Sequence, residues 1–171
     1  SLSKIRHYVD AKTIKSLYYS LFHSHMTYGC LTWGVSAKCE VKRIYKLQKK
    51  ALRIITFSDH DASTSELFSE MQILKLEDVI KFNLYLFMHD WFNNRLPKPL
   101  NKLYSFRDSA SNTRQSDSRH LTIPLRRTER YGTSAIRCQG TSTFNYLDNI
   151  GIKISNPKST FAKEVKSLLV T

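Results

Sequence analysis

Six basic side chains within residues 41–55 are the groups in this sequence best suited to bind a polyanion. They are Lys42, Arg43, Lys46, Lys49, Lys50 and Arg53, and no acid stands among them. At about 100° per residue, all six occupy one half of an α-helix. The predicted apolar half comprises Val41, Ile44, Tyr45, Leu47, Gln48, Ala51, Leu52, Ile54 and Ile55. One face therefore suits a protein core, and the other suits phosphates.

An ordinary solvated surface is the alternative interpretation of this basic face. Solvated helix faces usually mix signs, because like charges at i,i+4 cost about a few tenths of a kcal/mol per pair. The like pairs that no acid within the stretch offsets are Lys42/Lys46, Lys46/Lys50 and Lys49/Arg53. That repulsion favours a polyanionic partner. The excess of Lys over Arg favours phosphate contact over base reading.

A second basic cluster, rich in arginine, lies in the last third of the chain. Its members are Arg114, Arg119, Arg126, Arg127, Arg130 and Arg137. Guanidinium groups bind phosphates at two points, so this cluster could add nucleic-acid contacts. The same side chains could instead pair with acids in the middle of the chain. The sequence leaves both interpretations open.

The charge of the chain is large and unevenly placed. The 171 residues carry a formal net charge of +13, which is more than solubility requires. Residues 1–58 hold 11 bases and 2 acids, residues 59–94 hold 2 bases and 7 acids, and residues 95–171 hold 14 bases and 5 acids. Such a basic domain is typical of proteins that meet nucleic acid, an anionic membrane or an acidic protein.

No pattern in the sequence predicts catalysis or a metal site. His23 and His25 would lie about 200° apart on a helix, which favours a core or interface role over zinc binding. Residues 59–61, Asp-His-Asp, stand in a polar loop where capping and solvation explain them. The sequence contains no Gly-rich phosphate loop and no nucleophile elbow. Tyr19 falls on the polar side of its helix, where it could stack on a base or sugar or be an ordinary, partly exposed tyrosine.

The three cysteines, Cys30, Cys39 and Cys138, are an odd and sparse set. They predict a reducing, intracellular location in the nucleus or cytoplasm. No apolar run reaches the roughly 18 residues of a membrane span, so no membrane partner is expected. The amino terminus has no signal core and no starting Met, and we expect the chain to be a piece of something longer.

The elements that must position the basic face are predicted to be helices. Low Gly and Pro content with long apolar periodicity favours a mainly α fold. We expect a helical bundle over residues 1–95, in which the basic helix runs from about Cys39 to Phe57. Another long helix, from about Leu76 to Asn94, is apolar nearly all round and should be buried on several sides.

A smaller, basic C-terminal region is expected over residues 96–171, because the proline-rich residues 96–99 end the preceding helix. Within it, residues 120–125 and 131–139 are predicted to pair as a short β-hairpin. Residues 141–147 are predicted to form a short helix, and Asn156-Pro157 should start a last helix.

Short motifs follow one another along nearly the whole chain. In order they are L-Y-Y-S-L-F-H-S-H-M-T-Y-G-C-L-T-W-G at 17–34, L-Q-K-K-A-L-R-I-I at 47–55, S-E-L-F at 65–68, I-L-K-L-E-D at 73–78, N-N-R-L-P at 93–97, N-T-R at 112–114, R-C-Q-G at 137–140 and F-N-Y-L at 144–147. Their order and spacing resemble the region after the polymerase palm in non-LTR (LINE-type) retrotransposon reverse transcriptases, particularly the jockey-like group.

The resemblance implies a thumb-like bundle over residues 1–95, followed by the C-terminal region of the element. In such polymerases the thumb grips the template–primer duplex, and the catalytic acids lie in a Tyr-x-Asp-Asp type motif of the palm. This sequence has no such motif, so the palm and fingers are expected upstream of Ser1 or lost. A divalent metal is implied for the parent polymerase, whereas no cofactor and no zinc knuckle are expected in this chain.

The residues and the resemblance together predict a nucleic-acid-binding fragment of an RNA-directed DNA polymerase, without its own catalytic site. The expected ligands are RNA and RNA–DNA duplex, and the expected protein partners are the upstream palm and fingers of the same polyprotein. The alternative is a helical protein-interaction module whose basic faces bind an acidic partner. An independent enzyme would need a site that the sequence does not contain.

Overall fold

The protein is mainly helical, as predicted, in a computed structural model that describes residues 2–34, 38–107, 120–125, 128, 132 and 135–170. The helices are α1 (Leu2–Ile5), α2 (Ala11–Tyr18), α3 (Ser24–Thr27), α4 (Cys30–Trp33), α5 (Lys38–Ile55), α6 (Thr64–Glu70), α7 (Leu76–Phe92), α8 (Lys98–Asn101), α9 (Ile136–Asn149) and α10 (Lys158–Val170). A π-helical turn, Tyr19–His23, joins α2 to α3. Among the described residues, an isolated antiparallel bridge between Phe106 and Leu121 stands in place of a sheet.

Two compact units make up the chain, and the division between them lies inside α7. The first unit extends through Ile80, and the second comprises Lys81–Leu169. The boundary that the prolines predict, at residues 95/96, lies farther along the chain. The α7 helix itself ends at Phe92, because Asn94 turns left-handed with φ 54° and the Arg95 N–H donates to the Asp90 carbonyl at 2.8 Å.

The core of the first unit lies along one face of α5. The buried members of its main cluster are Ile14, Tyr18, Ala51, Leu52, Ile55, Phe68 and Ile73. A neighbouring cluster joins buried Met26, Leu76 and Val79 to half-buried side chains that include Val41, Ile44 and Tyr45 of α5. Full burial of a leucine such as Leu52 stabilises the fold by about 1.5–3 kcal/mol. The apolar half predicted for α5 is thus mostly its buried face.

Gln48 fixes the rotation of α5 within this core. Its side chain is fully buried, and Nε2 donates hydrogen bonds to the Leu74 carbonyl at 2.8 Å and to the Tyr18 hydroxyl at 3.2 Å. Losing the partner of such a buried polar group costs about 1–3 kcal/mol. Rotation of α5 about its axis would break both bonds, so Gln48 also fixes the direction of the opposite, basic face.

The second unit is built around the C-terminal half of α7 together with α9 and α10. One cluster joins Met88, Trp91, Tyr104, Leu121 and Phe144, and another joins Tyr85, Leu147, Phe161 and Val165. The start of α10 at Lys158 confirms the predicted last helix. Lys158 Nζ lies 2.6 Å from Asp90 Oδ2, which links α10 to α7 within this unit.

The predicted β-hairpin is wrong, because residues 136–139 are helical. The α9 helix begins at Ile136 and includes the whole of the predicted short helix, residues 141–147. The extended segment at Leu121 is bonded on one edge by the backbone of residues 105 and 107, and on its other edge by the Asn145 side chain. Asn145 Oδ1 accepts from the Leu121 N–H at 2.8 Å, and Asn145 Nδ2 donates to the Leu121 carbonyl at 3.3 Å. A helix side chain thus supplies the bonds that a hairpin strand would make.

Candidate nucleic-acid interface

The six bases predicted on α5 share one side of the helix. Lys42, Arg43, Lys46 and Lys50 are exposed, whereas Lys49 and Arg53 are half-buried. All six project within an arc of about 120° on the helical wheel. The buried side chains Gln48, Ala51, Leu52 and Ile55 lie on the opposite arc. The core therefore holds this basic face outward.

Three of the six bases are engaged within the protein. Arg43 Nη1 lies 3.3 Å from Glu40 Oε1, in a pair whose side chains are 76% and 54% exposed. Arg53 donates from Nε and Nη2 to the Ala62 carbonyl, at 3.1 and 3.0 Å. The Lys49 ammonium lies 4.5 Å from the centre of the Tyr45 ring, which is cation–π distance.

The other three bases, Lys42, Lys46 and Lys50, form a row that we call the lysine row. They stand at i, i+4 and i+8, so the row extends about 12 Å along α5. Within the described part of the chain, none of the three has a hydrogen bond or an ion pair. Their ammonium groups therefore repel one another at the i,i+4 spacing without compensation from a neighbouring acid.

The lysine row has distinct neighbours on its two sides. Leu47 lies on the half of α5 that the sequence predicts to face the core, but it is 56% exposed. The prediction that this half is buried is therefore wrong for Leu47. Leu47 lies at the border of the buried arc and belongs to neither hydrophobic cluster of the first unit. On the other side, burial raises the pKa of Tyr45, and the charges of Glu77 and Asp78 raise it further. Those acids mark the limit of the positive face.

Cys39 stands in the same arc, one helical turn before Lys42 and Arg43. Its thiol is exposed, whereas the thiols of Cys30 and Cys138 are buried, and all three cysteines are free. Burial raises the pKa of Cys30 above its usual value. Cys39 is consequently a natural chemical probe of this face.

The arginine cluster is only partly described. Arg137 is exposed in the first turn of α9, in the second unit. Arg114, Arg119, Arg126, Arg127 and Arg130 lie outside the described residues. Its two interpretations, phosphate contact and pairing with acids, therefore stay predictions.

The aromatic and metal candidates take varied positions. Tyr19 is 36% exposed, and its ring contacts that of His23 with centroids 5.2 Å apart. Burial raises the pKa of Tyr19.

His60 Nδ1 lies 3.2 Å from Asp61 Oδ1, and both side chains are exposed, as a solvated loop requires. Among the described residues, no three His, Cys, Asp or Glu side chains are grouped so as to hold a metal ion.

Residue spacing does not predict two features of this region. Arg43 pairs with Glu40, which lies just before the acid-free residues 41–55. The sequence signal for this pair is an acid three residues before Arg43 on the same helix. Phe57 follows α5 with a left-handed backbone, and the residue is 51% exposed. The sequence signal for this feature is an aromatic residue at a position after a helix where glycine is usual.

Comparison with known proteins identifies no relative of this chain. No family model, no curated protein and no solved structure matches it. In the described residues, no helix is long and apolar enough to cross a membrane.

Proposed function

We propose that this chain binds duplex nucleic acid through phosphate contacts, as the thumb and C-terminal part of a polymerase similar to non-LTR retrotransposon reverse transcriptases. The observation that carries the proposal is the lysine row. Lys42, Lys46 and Lys50 are exposed and unpaired on a helix whose opposite face is held in the core. A polyanion would relieve the repulsion within the row and release condensed counterions.

The chemistry of the row favours phosphates over bases. Lysine carries a compact charge on a flexible stem, which suits a regular array of phosphates. Base reading usually uses Arg, Asn or Gln in two-point contacts, and the row contains none of these. Binding should accordingly depend little on nucleotide sequence.

The proposed ligands are RNA and RNA–DNA duplex, and the proposed protein partners are the palm and fingers of the parent polymerase. The parent's divalent metal would belong to that palm, so this chain would hold the substrate without performing the chemistry. A nuclear or cytoplasmic location fits the proposal, and the three free cysteines support it.

Charge reversal at Lys46 and Lys50 tests the function. The double variant Lys46→Glu/Lys50→Glu should weaken binding to blunt duplexes of unrelated sequence by similar factors, because only phosphate contacts are lost. Fluorescence anisotropy with several labelled duplexes measures this. A loss confined to one sequence would indicate base reading. Retention by an acidic protein together with no affinity for any duplex would favour a protein-interaction module instead.

A further inference from the structure

Phe57 has a backbone conformation that an aromatic residue rarely adopts. Its φ is 57°, in the left-handed region, two residues past the end of α5. The Ser58 N–H donates to the Arg53 carbonyl at 3.1 Å, which is the longer of the two backbone bonds that define a Schellman motif. Glycine suits this position because it has no Cβ to collide with the backbone. A phenylalanine there makes the fold less stable than a glycine would on backbone grounds.

Three other helices end with a left-handed residue and the same longer bond. The equivalent residue is Gln72 after α6, Asn94 after α7 and Gly151 after α9. In each case the next N–H bonds back to the helix, as Ile73 does to Phe68, Arg95 to Asp90 and Ile152 to Leu147. Of these four ends, α5 alone carries a ring at the strained position. The other three show that this chain forms such an end with a polar side chain or with none.

The surroundings of Phe57 do not make it a core residue. Phe57 is 51% exposed, and it belongs to none of the hydrophobic clusters of the described residues. The Arg6 guanidinium carbon lies 5.1 Å from the ring centre, and the His7 ring meets it edge-on at 5.6 Å. A half-exposed phenylalanine, its ring backed by a cation, therefore stands at the end of the basic helix.

We infer that Phe57 is a stacking platform for an unpaired base adjoining the duplex on α5, an inference that rests on the proposed function. Aromatic rings backed by arginine bind single-stranded nucleic acid by stacking, whatever the base. The loop after Phe57 carries exposed Asp59 and Asp61, so this end of α5 is less positive than the lysine row. The uncharged face of a base suits it better than a phosphate.

The test compares a blunt RNA–DNA duplex with the same duplex carrying a short unpaired overhang, on its 3′ or its 5′ end. The full chain should bind one overhang duplex about tenfold more tightly than the blunt one, which corresponds to about 1.4 kcal/mol. Phe57→Asn should abolish that preference and leave blunt-duplex affinity and its salt dependence unchanged. Asparagine tolerates the left-handed conformation, as Asn94 shows.

Gln72→Asn is the matched control, since it also places asparagine at the left-handed position after a helix but removes no ring, and it should keep the preference. Phe57→Trp should also keep it. If Phe57→Asn does not fold, Phe57→Leu serves, because it keeps apolar bulk and loses the aromatic face. If Phe57→Leu or a folded Phe57→Asn prefers the overhang duplex over the blunt duplex as strongly as the unaltered chain does, the inference is overturned.

Equal binding of blunt and overhang duplexes by the unaltered chain would also overturn stacking, while phosphate binding by the lysine row would stand. No binding to either duplex would overturn both proposals. The two failures are therefore distinguishable in one set of titrations.

Discussion

Replacing Lys42, Lys46 and Lys50 by glutamine removes the lysine row and keeps much of its side-chain length. We expect this triple variant to bind duplex with a weaker dependence on salt. The three ammonium groups have no partner within the described residues, so their loss breaks no bond of the fold. The unfolding midpoint should stay the same or rise slightly, because repulsion at i,i+4 is relieved.

The size of the effect follows from the number of phosphates neutralised. On B-DNA each contact contributes about 0.9 to the slope of log affinity against log salt, so the row accounts for about 2.7. Between about 50 and 200 mM salt, a slope of that size changes affinity about 40-fold. The full slope should lie near −5 if all six bases of the α5 face engage, and near −2.7 if only the row does.

Arg43 is the base most able to join the row. Its exposed pair with Glu40 is worth about 0–1 kcal/mol, so the guanidinium can turn to a phosphate at little cost. Arg53 is bound twice to the Ala62 carbonyl and is the least free. If the slope of log affinity against log salt lies between about −2.7 and −5, we would therefore attribute the additional phosphate contact first to Arg43.

Fluorescence anisotropy with a blunt DNA duplex over a salt series measures the slope for each variant. The control is Lys153→Gln/Lys163→Gln/Lys166→Gln, which removes the same charge from exposed lysines of the second unit. The control should keep the slope, and the variant of the row should lower its magnitude by about 2.7. Equal losses in the two variants would refute the reasoning, because net charge would then explain binding without the row.

Two further predictions concern stability. A Cβ at Gly140 would collide with the Tyr104 hydroxyl and lie 2.8 Å from Met88 Sδ, so Gly140→Ala should cost about 1–3 kcal/mol of unfolding free energy in denaturant titration. Exposed Ser142→Ala on the same helix should change it little, and equal effects would contradict this packing. Burial raises the pKa of Tyr18 from 10.0 to about 12, so above pH 10 the unfolded chain loses this proton first. Stability should be intact below pH 10 and fall by roughly 2–3 kcal/mol by pH 12, and Tyr18→Phe should flatten that decline; an unchanged pH profile would contradict the assignment.

The basic helix could be predicted from sequence because one physical pattern dominates it. Charged and apolar residues recur at the helical period over residues 41–55. The observed α5 buries or half-buries most of the half that is predicted to be apolar. Leu47 shows the limit of that reasoning. A wheel gives direction, but whether a residue at the border is covered depends on what packs beside it, and Leu47 is 56% exposed.

The second unit was less predictable because contacts distant in sequence decide its structure. The extended segment at residue 121 does look like a strand, yet its bonds go to residues 105 and 107 on one edge and to the Asn145 amide on the other, while residues 136–139 of the predicted second strand are helical. The left-handed turn at Asn94 ends α7 before the prolines on which the predicted boundary rests. The lysine row was visible as charge, whereas the partners that distinguish it from Arg43, Lys49 and Arg53 required the structure.

Protection of Cys39 from alkylation tests most directly whether duplex occupies the α5 face. Cys39 is exposed in the arc of the lysine row, and the other two cysteines are buried, so a neutral maleimide should modify it first. Saturating blunt duplex should slow its modification, measured by mass spectrometry, and the triple glutamine variant should lose that protection at the same duplex concentration. An unchanged Cys39 rate while anisotropy shows the duplex fully bound would contradict binding at this face.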